Sequence, residues 1–125
     1  MPIDHVNIPV ADLERSRAFY TAALRPLGYW CVFESDSSLG FGHETREPIA
    51  LRPAPAPPNV GSHIAFTATA DEQVDAFHAA AVAAGGVDNG PPGERPYGGY
   101  YYAAFVLDPD GHNIEVVNHG DRDAS

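Results

Sequence analysis

The chain uses one unit twice. DHVNIPVADLERSRAFYTAAL, from Asp4, aligns without a gap on SHIAFTATADEQVDAFHAAAV, from Ser62, at an offset of 58 residues. His5 falls on His63, Val6 on Ile64, Ile8 on Phe66, Glu14 on Glu72 and Phe19 on Phe77. Ala22 and Ala23 fall on Ala80 and Ala81, and Leu24 on Val82. The register covers a strand-like alternation and then a helical period. Such a repeat constrains the fold, because two copies of one supersecondary unit present similar apolar faces and must bury them in similar ways.

Each copy continues in the same manner. In the first helix Leu13, Phe19, Tyr20, Ala23 and Leu24 gather on one side, with Asp12 as N-cap. In the second, Val74, Phe77, Ala81 and Ala84 share a face. Asp71 or Thr69 is the cap expected there, and Gly85-Gly86 the stop. Three strands are predicted after the first helix, over about 27–35, 38–43 and 48–53. After the second come a short strand near 87–89, a glycine- and proline-rich loop over 89–99, and two strands over about 100–107 and 112–118. The last two are joined by a DPDG turn. The element order is βαβββ twice, an α+β class. One domain is expected over 1–125, with a first module over about 1–53, a proline-rich linker over 54–61 and a second module over about 62–119.

Composition narrows the partners. Net charge is −10 and every cation is an arginine. That surface repels phosphate backbones, which excludes nucleic acid as a natural partner. It suits metal ions or cationic small molecules. The single cysteine, Cys31, rules out an intramolecular disulfide, and no apolar stretch approaches the ~20 residues of a membrane span. The N-terminus lacks the basic and apolar regions of a signal peptide, so the reading is cytoplasmic with no membrane partner.

Chemistry enters through the closing stretch DPDGHNIEVV. Glu115 interrupts the apolar residues Ile114, Val116 and Val117, and a carboxylate taken from water needs compensation. Strand phase suggests what compensates it. If Val6 and Ile8 pack on the helix, His5 and Asn7 face the other way. By the same argument His63 and Thr67 face away in the second copy, and Glu115 does so on the last strand. Two imidazoles and a carboxylate on one kind of face form a ligand set for a divalent Zn, Mn, Fe, Co or Ni ion, with positions left open for substrate.

DHVNI, SHIAF and DPDG-x-x-IE within a βαβββ duplication resemble the vicinal oxygen chelate superfamily, which includes glyoxalase I, bleomycin-resistance proteins, fosfomycin-resistance enzymes and extradiol dioxygenases. The resemblance implies a cupped, partly open eight-stranded barrel with one helix per module outside. It implies His5, His63 and Glu115 as metal ligands and a homodimer, with the cup formed within one chain or across two. Glyoxalase I has a fourth ligand on the last strand of its first module. Here that strand, PIALRPA, offers Leu51 and Arg52 and no carboxylate, which argues for a three-ligand site.

The expected function is a metal-dependent lyase or dioxygenase of glyoxalase type, acting on a small molecule through vicinal oxygens. The alternative is a cup that sequesters a small ligand without chemistry. Glu115 and Tyr102 are the candidate catalytic residues. Phe105 and Leu107 read as the helix-packing face of their strand, which turns Tyr100 and Tyr102 toward the cup. Asn7, Arg52, Thr67, Arg95 and Tyr97 are candidate substrate contacts, the last two on a loop with the composition of a lid. His43, His78 and His119 read as surface, helix-flank and terminal residues.

Overall fold

The computed structural model describes residues 4–43, 46–53 and 62–120 of the chain. The expected linker over 54–61 lies outside them. The first half contains β1 (Val6–Val10), α1 (Leu13–Leu24), β2 (Trp30–Ser35), β3 (Ser38–His43) and β4 (Arg46–Pro53). The second contains β5 (His63–Ala68), α2 (Asp71–Ala83), β6 (Val87–Glu94), β7 (Tyr102–Leu107) and β8 (Asn113–Asn118). The sheets have matching orders, β1-β4-β3-β2 and β5-β8-β7-β6. In each, the first strand pairs parallel with the last, and the remaining pairings are antiparallel. The two sheets stay separate and do not close into a barrel.

Local chemistry accounts for the element ends. Asp12 caps α1 by accepting from Arg15 N at 3.1 Å. A short 3-10 turn over Arg25–Leu27 takes the start of the expected 27–35 strand, and β2 begins at Trp30. On α2 neither expected cap operates. Ala70 holds the N-cap position, and Gln73 Oε1 reaches back to accept from Thr69 N at 2.7 Å. Asp71 and Glu72 in the first turn complement the positive end of the helix dipole.

The expected short strand near 87–89 instead runs through the proline-rich segment to Glu94. β6 is the sheet edge, so Pro91 and Pro92 can be accommodated where only one side of the strand is paired. The pairing with β7 slips between Asp88 and Gly90 and again between Gly90 and Gly93. The irregular part of the expected loop is correspondingly shorter.

One apolar core serves both modules. Ile8, Val10, Phe19, Tyr20 and Leu24 from the first half join Phe66, Val74, Phe77, Val106, Ile114 and Val116 from the second. The helices pack on each other. Gly86 marks how closely the modules approach, since a Cβ there would fall 2.5 Å from Val106 Cγ1 and 2.7 Å from Phe19 Cε1. The core thus occupies the helical side of both sheets and leaves their other faces to the cup residues.

The DPDG segment does more than turn the chain. Asp108 Oδ1 accepts from Asp110 N and His112 N at 2.9 Å each, and Oδ2 accepts from the Tyr20 hydroxyl at 2.6 Å. Asp110 Oδ1 accepts from Ala11 N at 3.1 Å and from Arg15 Nη2 at 3.3 Å. The buried His112 imidazole donates from Nε2 to Pro9 O at 2.9 Å, and its Nδ1 has no partner among the described residues. The second module's hairpin turn therefore clasps β1 and α1 of the first.

Burial, and then the neighbouring Asp108 charge and hydrogen bond, push the Tyr20 hydroxyl well above the usual tyrosine range. In the unfolded chain it ionises near pH 10. Its stabilising contribution is therefore complete below about pH 10 and is lost as pH rises through the higher native value. Hydrogen bonds to Asp71 and Asp75 likewise push Tyr100 and Tyr102 up to about 12. Denaturant melts at about pH 8 and about pH 11 are expected to show an alkaline loss of stability that is smaller in Tyr20→Phe.

Candidate functional site

The second sheet assembles a compact polar cluster on its cup face. β5 and β8 run parallel with Ala65 opposite Glu115, which sets His63 two residues back on the neighbouring strand. His63 Nε2 lies 2.8 Å from Glu115 Oε1. The Tyr101 hydroxyl donates to the other carboxylate oxygen, Oε2, at 2.5 Å. Glu115 is only 2% exposed, while His63 and Thr67 on β5 are open to solvent. A buried carboxylate is thus compensated on each oxygen.

Aromatic rings frame this cluster. Phe105 sits opposite Glu115 on β7, its ring 6.1 Å from His63. The Tyr101 ring lies edge-on between Tyr97, at 4.9 Å, and His119, at 5.0 Å. Tyr97 is exposed. Arg95 donates to Gly93 O at 2.9 Å and Pro91 O at 2.7 Å, and its guanidinium stands 5.5 Å from the Phe105 ring centre. It braces the end of β6.

The phase expected for β7 is reversed. The Tyr102 hydroxyl donates to Asp75 on α2 at 2.7 Å, and that of Tyr100 to Asp71 at 2.5 Å. Both face the helix, and Tyr101 faces the cup. Ala104 and Val106 form the fully buried helical face of the strand, so Phe105 alternates with them onto the cup side. Tyr101 was missed for this reason. Ala103 and Ala104 are the same residue type, so side-chain size gave no signal for the phase.

The first sheet carries the other candidates. Asp4, His5, Asn7, Phe33, Ser38, Ala50 and Arg52 line a recess of about 380 Å³. His5 Nδ1 donates to Asp4 Oδ1 at 2.8 Å, since the carboxylate can only accept. That leaves Nε2 as the lone-pair nitrogen, with a carboxylate orienting the ring as it does behind many metal-binding histidines. His43 is exposed beside Tyr29 and Trp30, and His78 pairs with Asp88 at 2.9 Å.

His63 and Glu115 fit a metal. Two neighbouring ligands on an ion at roughly 2.0–2.2 Å stand about 3 Å apart, and these donor atoms are 2.8 Å apart. His5 does not join them within the chain. Among the described residues, no group of three or more His, Cys, Asp or Glu side chains is placed to hold an ion.

Comparison with known proteins agrees with this architecture. The model of the Glyoxalase/Bleomycin resistance protein/Dioxygenase superfamily matches residues 2–116. A glyoxalase/bleomycin resistance protein from Albidiferax ferrireducens T118 is 34% identical with a TM-score of 0.86, covering 94% of this chain and 99% of that one. A glyoxalase-related enzyme from Fulvimarina pelagi is 25% identical with a TM-score of 0.72, covering 93% and 86%. The fosfomycin resistance protein FosX from Listeria monocytogenes, solved with Mn(II) and 1S,2S-dihydroxypropylphosphonic acid, shares the fold at 22% identity and a TM-score of 0.68, covering 90% and 86%. No curated protein matches. The chain therefore belongs to the Glyoxalase/Bleomycin resistance protein/Dioxygenase superfamily.

Proposed function

We propose that the chain is a metal-dependent enzyme of the glyoxalase-like lyase or dioxygenase type. It holds a divalent ion through His63 and Glu115 of one copy and His5 of a second, and takes a small substrate through two adjacent oxygens. The observation that carries this reading is the buried Glu115 carboxylate with an imidazole nitrogen 2.8 Å from one oxygen. A buried carboxylate tied to an imidazole and a phenol, beside the exposed His63, Ala65 and Thr67 of β5, has the character of a ligand site rather than of a core. The Mn(II) bound by FosX supports the choice of a divalent ion.

A second copy is supported by the placement of His5. It stands in the recess of the other sheet, and the shared core lies on the helical side of both sheets. The first cup face exposes His5, Asn7, Arg52 and Phe33, the last at 47%. A homodimer that sets the first cup face against the second buries such residues and brings a third donor to the pair.

When bound, the ion supplies Lewis-acid stabilisation of charge on substrate oxygen. The chain's own groups do the rest. Glu115 presents Oε1 while Tyr101 holds Oε2, which favours single-oxygen ligation. Asp4 holds the His5 ring and its tautomer. His63 Nε2 donates to Glu115 Oε1, and a move of that proton to the other ring nitrogen frees Nε2 for a metal.

Elemental analysis of protein purified without a histidine tag, together with its solution mass, tests the reading. One divalent ion per chain in a dimer is expected. A chain that takes up no Mn, Fe, Co, Ni or Zn would instead favour the sequestering cup, which the net charge of −10 suits for a cationic ligand.

A further inference from the structure

We propose that Arg52 selects a small oxyanion as substrate, a carboxylate or phosphonate carrying an oxygen on the adjacent carbon. The assignment rests on the reading of His5 as a metal ligand, because Arg52 and His5 line one recess. Arg52 lies on β4 with its side chain exposed, and no ion pair or hydrogen bond engages it among the described residues. In an acidic chain that is informative. Arg15 pairs with Asp110, Arg17 with Glu34, and Arg95 with two carbonyl oxygens, while Arg25, like Arg52 without a side-chain partner among the described residues, lies outside the recess.

The rest of the recess suits the same ligand. The Asn7 amide and Ser38 hydroxyl line it and are likewise without a side-chain partner among the described residues. They add neutral donors beside the guanidinium. Phe33 and Ala50 supply apolar wall for a short carbon body. Asp4 is the carboxylate in the recess, and its Oδ1 is engaged by the His5 imidazole at 2.8 Å. A planar guanidinium binds carboxylate or phosphonate through two parallel hydrogen bonds, which a lysine cannot reproduce.

The test compares three probes that keep an oxygen on adjacent atoms and differ in charge: lactate, 1-hydroxyethylphosphonate and the neutral lactamide. Binding is measured calorimetrically on the full chain as purified, for wild type, Arg52→Gln and Arg52→Lys, with metal content determined on the same samples. At least one anion is expected to bind the wild type roughly tenfold to hundredfold more tightly than lactamide. Whichever anion does so names the charged group. Arg52→Gln is expected to lose that preference, and Arg52→Lys to retain only part of it, both with wild-type metal content. Equal binding of lactamide and both anions by the wild type, or an undiminished preference in Arg52→Gln, would overturn the assignment. A preference that depends on Arg52 in protein without metal would sustain it and count against the metal reading alone.

Discussion

Glu115→Gln is expected to lose bound divalent metal, with affinity falling roughly hundredfold or more while the fold persists. The amide has the shape of the carboxylate and can still accept from the Tyr101 hydroxyl, now at 2.5 Å from Oε2. It lacks the charge that a dication requires, and amide is a poor ligand beside imidazole for these metals. The amide keeps one of the two acceptor oxygens and removes a desolvated charge, so thermal stability of metal-stripped protein should change little. Metal titration followed by thermal melting checks both parts. Retention of wild-type affinity by the glutamine variant would remove Glu115 from the site.

Asp108→Ala is expected to be the most destabilising single substitution in the turn that joins the modules. The carboxylate accepts from Tyr20, Asp110 and His112. Tyr20 and His112 are fully buried, so their donors are stranded away from water when it goes. Each orphaned buried donor costs about 1–3 kcal/mol, and the set costs about 3–5 kcal/mol. For a chain of this length that lowers Tm by roughly 10–20 °C. Tyr20→Phe should cost much less, about 1 kcal/mol, because it removes one donor and leaves the two backbone bonds to Asp108 Oδ1 in place. Equal losses in the two variants would show that the turn is held by the Tyr20 contact alone.

How far the sequence could be read varied with the physics of each segment. The duplication carried the element order, because both copies repeat a strand period and a helix period in one register. Glu115 and His63 were legible as a pair, since alternation assigns a residue's face wherever one side of a strand is clearly apolar. Alternation failed on β7. There Ala104 and Phe105 are both apolar, and the larger side chain looked like the core one when it lies over His63 instead. β6 was hidden by its prolines, which an edge strand tolerates. The position of His5 relative to Glu115 was beyond reach for a different reason. Phase places a residue on a face of its own sheet and says nothing about whether two sheets turn those faces toward each other. The clasp at Asp108 was likewise invisible, because a turn sequence reports its own backbone and not the distant hydroxyl it receives.

Hybrid dimers test most directly whether one metal site draws on two copies of the chain. His5→Ala and Glu115→Gln chains, co-expressed with different affinity tags free of histidine, would be isolated as the mixed dimer. Each parent dimer is expected to hold essentially no metal. In the hybrid one site carries both lesions and the other carries none, so about half the wild-type metal should return. A hybrid as metal-poor as its parents would contradict the shared site.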